Sequence, residues 1–121
     1  MEEIIKKYVE KHIEADLNIK KANLTVDFKT NNKERKKLEK LFSELSKDRI
    51  LFEAVYAELL ESSEEVTLLT ASSECLKNKI FVKKAEENLL KLSKRKDLAM
   101  ISFEAEMVLK VWYGEIKGKT L

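Results

Sequence analysis

Three kinds of residue in this 121-residue chain have side chains that do chemistry elsewhere: a lone histidine, a lone cysteine and closely spaced glutamates. His12 sits in MEEIIKKYVEKHIE, near the apolar face of a first amphipathic helix. A histidine there reads as a packed or half-exposed residue at the edge of a core. Zinc sites draw on several Cys and His ligands, and one of each with no joining spacing makes none. Cys75 lies in SSECL, flanked by serines as a nucleophile is. A thiolate needs an activating base or positive surroundings, and no second histidine is available to supply them. Core packing is the simpler role. The glutamate pairs Glu64-Glu65, Glu86-Glu87 and Glu104/Glu106 do not converge for acid/base work, because adjacent helical positions point about 100° apart. Glycine is absent before Gly114, which rules out a glycine-rich phosphate loop in that stretch. The residues therefore point away from an enzyme and imply no metal and no cofactor.

The elements that hold these residues are helical by every local sign. There is no proline, and the glycines are Gly114 and Gly118. With 44% hydrophobic and 38% charged residues, the composition is that of one globular domain, 1–121, rather than of a disordered chain. No apolar run approaches the roughly 20 residues of a membrane span, and the N-terminus lacks a signal-peptide core, so a cytoplasmic location is expected. Ile5, Val9 and Ile13, with Tyr8 and Leu17 beside them, mark a helix over 2–17. Residues 18–30 alternate at Ala22, Leu24, Val26 and Phe28 like a strand but have nothing to pair with, and read as a loop or irregular helix extension. Asn31 or Asn32 offers a cap before a helix striped by Leu38, Leu41, Phe42 and Leu45. Asp48 caps a nearly all-apolar helix over 49–61. Ser62 and Glu65 form a capping box for 63–78, which buries Leu68, Leu69, Cys75 and Leu76 and turns Thr67, Thr70 and Glu74 outward. A helix over 82–96 points Ala85, Leu89 and Leu92 inward, and Asp97 caps a last helix over 98–113 that Gly114 ends. The strings LSK and FEA recur at 45–54 and 92–105, a weak internal echo. The expected fold is all-α, five to six helices stacked as α-α hairpins in the armadillo/HEAT manner.

Charge is segregated. The net charge is only +2, yet residues 50–76 hold six glutamates and neither lysine nor arginine. The flanking segments are basic. Glu53, Glu58 and Glu61 share one arc of the 49–61 helix, while Glu64, Glu65 and Glu74 begin and line the next. With Tyr56, or with Trp112 and Tyr113, as aromatic anchors they make a candidate partner-binding surface. The alternative is that these acids neutralise lysines of neighbouring helices within the monomer. Lys33, Lys36, Lys37 and Lys40 cover one helix face and could touch phosphates. Interleaved Glu34 and Glu39, and the lack of stacking aromatics, favour a solvated face over a nucleic-acid site.

The C-terminal half also carries a resemblance. TASSECL, VKKAEENLLKLSKRKD and SFEAEMVLKVWYGE, through Ala71, Cys75, Leu76, Ala85, Glu86, Leu89, Phe103, Ala105, Glu106, Leu109 and Trp112, are similar to a small bacterial family of helical proteins of unknown function. Most of these positions are core residues of a helical hairpin, and the likeness spans roughly residues 50–113. It implies an armadillo-type fold. Small proteins of this type resemble the immunity partners encoded beside bacterial toxin domains, including those of contact-dependent growth inhibition. That resemblance implies an immunity protein whose partner is a cognate toxin; the segregated acidic surface suits a nuclease, whose phosphate-attracting basic cleft it would occlude. A helical scaffold binding a peptide or protein is the alternative, and a nucleic-acid-binding regulator the second. The aromatic end around Trp112 also offers a surface for a homo-oligomer.

Overall fold

A computed structural model describes residues 2–120, with side-chain surroundings for residues 2–114. The fold is all-α. Among the described residues there are six helices, α1 (Glu2–Leu24), α2 (Phe28–Leu45), α3 (Arg49–Leu59), α4 (Glu65–Lys77), α5 (Val82–Ser93) and α6 (Ala99–Thr120), and no strand. They fall into two compact units, divided within α4 after Thr67.

In the first unit, α1 and α2 form a hairpin, and α3 packs on α1 and α2. The buried face of α1 is His12, Ala15, Asp16, Ile19 and Ala22, spaced as one helical stripe. It is not the face centred on Ile5, Val9 and Ile13, which are half-buried, and Leu17 is exposed. Two polar residues hold the inner positions because they satisfy each other, as described below. Ala15 and Ile19 meet Leu38 of α2 in a small apolar cluster.

Residues 18–30 hold no strand: the helix extension holds as far as Leu24, and a short turn over 25–27 follows. The first helix continues to Leu24 and turns sharply, with Asp27 N–H donating to the Ala22 carbonyl at 2.8 Å and Val26 N–H to that of Asn23 at 3.3 Å. This pair of bonds is a Schellman closure, with Val26 at φ 56° in the position that favours glycine. The apparent alternation thus has no structural meaning: Leu24, Val26 and Phe28 are all exposed. Asp27, not Asn31 or Asn32, caps α2. Its carboxylate accepts from the Thr30 amide at 3.1 Å and the Thr30 hydroxyl at 2.7 Å. Those bonds hold the Asp27 carboxyl below its ordinary 3.8.

Asp48 caps α3 as its sequence position predicts, accepting from the Leu51 amide at 3.2 Å. The helix ends at Leu59, two residues before the predicted 61. Phe52, Val55, Tyr56 and Leu59 turn inward. Phe52 stacks on Tyr56 at 4.6 Å between centroids, and Phe42 meets both rings edge-on at 5.3 and 5.9 Å. Such geometry suits the ring quadrupoles.

Before α4 Ser62 makes a tight turn of its own. Ser62 Oγ accepts from the Glu64 amide at 3.1 Å, and α4 begins at Glu65 rather than 63. The second unit contains the rest of α4 with the hairpin of α5 and α6. Helix α4 closes like α1, with Lys79 left-handed at φ 59° and the Ile80 amide bonded to the Cys75 carbonyl at 2.9 Å. Helix α5 buries Ala85, Asn88, Leu89 and Leu92. Asn88 Nδ2 donates to Ser72 Oγ at 3.3 Å, tying α5 to α4. Asp97 is taken up by Arg95 at 2.7 and 2.9 Å, and the ladder of α6 opens with the Ser102 amide donating to the Leu98 carbonyl at 2.7 Å. Gly114 does not end α6, which runs through it to Thr120. Glycine weakens a helix without forbidding it.

Candidate functional site

His12 is not a core-edge residue. It is 1% exposed, Asp16 and Thr67 are fully buried, and the three form one network. His12 Nδ1 lies 2.7 Å from Asp16 Oδ2, and the same oxygen accepts from the Thr67 hydroxyl at 2.8 Å. The His12 ring also meets Tyr56 edge-on at 6.0 Å. Thr67 lies inside, not on the outer face that helical periodicity assigns it. In this arrangement the carboxylate orients the imidazole, as in catalytic dyads, but burial closes it to a substrate. Its role in the fold is to fix the start of α4 on α1. The sequence signal was available: His12 and Asp16 are spaced i,i+4 on one helix face.

Cys75 is fully buried. Burial, with the charge of Glu74 adding to it, pushes the thiol up to about 12. It therefore stays protonated and unreactive at neutral pH.

The acidic surface divides between the two units. Glu53, Glu58, Glu61, Glu64 and Glu65 belong to the first unit, and Glu74, Trp112 and Tyr113 to the second. Glu53, Glu58 and Glu61 are exposed, and Glu64, Glu65 and Glu74 half-buried. Glu53 is drawn onto Arg49 at 2.8 Å, so the strip is partly neutralised at its N-terminal end by the residue just before it. Tyr56 is no surface anchor: it is fully buried in the aromatic cluster that backs α3. A tyrosine on the arc opposite the glutamates has to face the core.

Trp112 and Tyr113 gather around a residue absent from the predicted surface. The Trp112 indole N–H donates to Glu86 Oε2 of α5 at 3.2 Å, and the indole is half-buried. Tyr113 remains 38% exposed; burial first, then the charge of Glu86 and a hydrogen bond to it, push its phenol upward. Trp112 also lines an apolar cleft of about 370 Å³ with Ser73, Leu76 and Lys77 of α4 and Met107, Val108 and Val111 of α6.

A feature the sequence reading missed runs along α6. Met100, Phe103, Met107 and Val111 are 64%, 61%, 44% and 62% exposed. Phe103 is therefore not a core position of the hairpin. The spacing was legible, but apolar residues on two sides of one helix blur into a generally apolar segment.

On α2, Lys37 Nζ is engaged by Glu34 at 3.0 Å, which removes one lysine from the predicted basic face. Glu34 is itself 5% exposed, and its Oε2 has no hydrogen-bond partner among the described residues. Among those residues no group of three His, Cys, Asp or Glu side chains is placed to hold a metal ion, and no helix is long and apolar enough to cross a membrane. Comparison with known proteins found no matching family model, no matching curated protein and no matching solved structure.

Proposed function

We propose that this chain is an immunity protein: it binds a cognate bacterial toxin domain of nuclease type and covers its basic cleft. The observation that carries the reading is the acidic surface of α3 and the turn into α4. Glu58 and Glu61 are exposed there, with half-buried Glu64 and Glu65 beside them, in a stretch of 27 residues (50–76) free of lysine and arginine. A nuclease must attract phosphates, so its cleft is positive, and a fixed negative surface is the complement that steers and aligns it. Rigidity supports the same reading. The glutamates of α3 stand on a helix whose inner face is locked by Phe52 and Tyr56, so little side-chain and backbone order has to be gained on binding.

The experiment is co-expression with the product of the gene immediately upstream. Growth arrest caused by that product, relieved by this chain, and co-purification of the two support the reading. Absence of toxicity, or toxicity that this chain does not relieve, overturns it.

A further inference from the structure

We propose that α6 carries a self-association surface, on which a second copy of this chain packs antiparallel through Met100, Phe103, Met107 and Val111. At about 100° per residue these four fall within about 80° of one another. They lie opposite Ala105 and Leu109, which are buried on the side that packs on α5. Helix α6 thus has two apolar faces, and among the described residues only one is covered.

Gly114 continues the exposed stripe. A Cβ placed on it would meet nothing within 4 Å, so no neighbour among the described residues requires its smallness. A glycine inside a helix costs roughly 1 kcal/mol relative to alanine. Close approach by a second helix accounts for it at this position.

The charges beside the stripe identify that helix as another copy. Glu106 and Lys110 lie one turn apart on the same flank, 3.6 Å from each other and both exposed. Antiparallel pairing reverses their order, so each Lys110 faces the Glu106 of the other copy. A two-fold axis requires the centre of the charge pair and the centre of the apolar stripe to coincide. The first lies at residue 108 and the stripe from Met100 to Gly114 is centred at Met107, a difference of about 1.5 Å along the helix. In that register Phe103 stands opposite Val111 of the second copy, at the mouth of the cleft formed with Leu76 and Trp112.

The area sets the class of interface. The four are between 44% and 64% exposed, which leaves a contiguous apolar patch of a few hundred Å² per copy, the size that marks interaction sites. The cleft walls and the stems of Lys77 and Lys110 bring this toward the low end of specific interfaces, about 600–800 Å² per partner. An interface of that size belongs with weak, reversible associations.

Sedimentation velocity on the full chain between about 1 and 500 μM tests this, with circular dichroism to confirm helicity. The wild type is expected to pass from monomer to dimer across that range, and Met107→Glu, which sets two like charges at the axis, to raise the Kd at least 30-fold. Glu106→Lys and Lys110→Glu singly weaken the dimer, and the double exchange restores it. A wild type that stays monomeric at 500 μM, or a dimer that Met107→Glu leaves unchanged, overturns the proposal. So does a monomer that uses this stripe only to bind a helix of a different polypeptide.

Discussion

Replacing Asp16 by alanine removes the carboxylate oxygen that accepts from both His12, at 2.7 Å, and Thr67, at 2.8 Å. Both donors are at most 1% exposed, so water cannot take the acceptor's place without opening the packing. A hydrogen bond to a charged group contributes roughly 1.5–3 kcal/mol, and breaking a buried pair by removing one partner costs about 3–5 kcal/mol. The expected loss for Asp16→Ala is therefore about 3–5 kcal/mol, a large part of the stability of a domain of this size. Asp16→Asn keeps the shape and one acceptor oxygen and is expected to lose about half as much. Urea unfolding followed by far-ultraviolet circular dichroism measures both. With a slope of about 2 kcal/mol per molar urea, Asp16→Ala moves the midpoint down by roughly 1.5–2.5 M. A shift under about 0.5 M would mean that the network adds little to holding the first turn of α4 on α1. A double-mutant cycle with His12→Ala isolates the pair, and a coupling below about 0.5 kcal/mol would refute the reasoning independently.

Val26→Gly and Lys79→Gly each relieve a non-glycine residue held left-handed at a helix end, and thermal melts should show stabilisation of about 1 kcal/mol apiece. Glu34→Leu removes a buried carboxylate whose second oxygen lacks a hydrogen-bond partner; chemical denaturation should show equal or higher stability, by up to about 2 kcal/mol. Cys75 should react with a thiol reagent only as fast as the chain opens, so the labelling rate should rise steeply with urea. Because the Asp27 carboxyl is held low in the folded chain, its cap on α2 contributes fully above the ordinary carboxylate range. That contribution fades as the pH falls through the lowered folded value. Asp27→Asn should remove this part of the acid sensitivity in a melt series from pH 6 to pH 2.

Much of the fold could be read directly because the strongest signals were local. Asp48 caps α3, and Ala85, Leu89 and Leu92 face inward, since both follow from residue type and a 3.6-residue period. What escaped depended on tertiary pairing. His12 and Asp16 are polar and so were not counted toward the buried face of α1, yet their mutual bond makes that face the core. Val26 and Lys79 close helices where glycine is the usual residue, while the actual glycine at position 114 lies mid-helix. Glycine and β-branched residues therefore gave the wrong boundaries at Leu24 and beyond Gly114. The candidate surface was legible as charge but not as shape. The run of glutamates between residues 50 and 76 is plain in the sequence, whereas the inward turn of Tyr56 and the Glu86 bond to Trp112 required the packing of neighbouring helices.

The proposed immunity role turns on whether the α3 acidic surface holds a basic partner. Calorimetric titration of the purified upstream gene product with the wild type and with Glu58→Lys/Glu64→Lys, at about 50 and 300 mM salt, addresses this directly. The account predicts tight binding by the wild type that weakens with salt, and a loss of at least 100-fold in the double variant with its helicity intact. Undiminished binding by the double variant, or binding indifferent to salt, would contradict it.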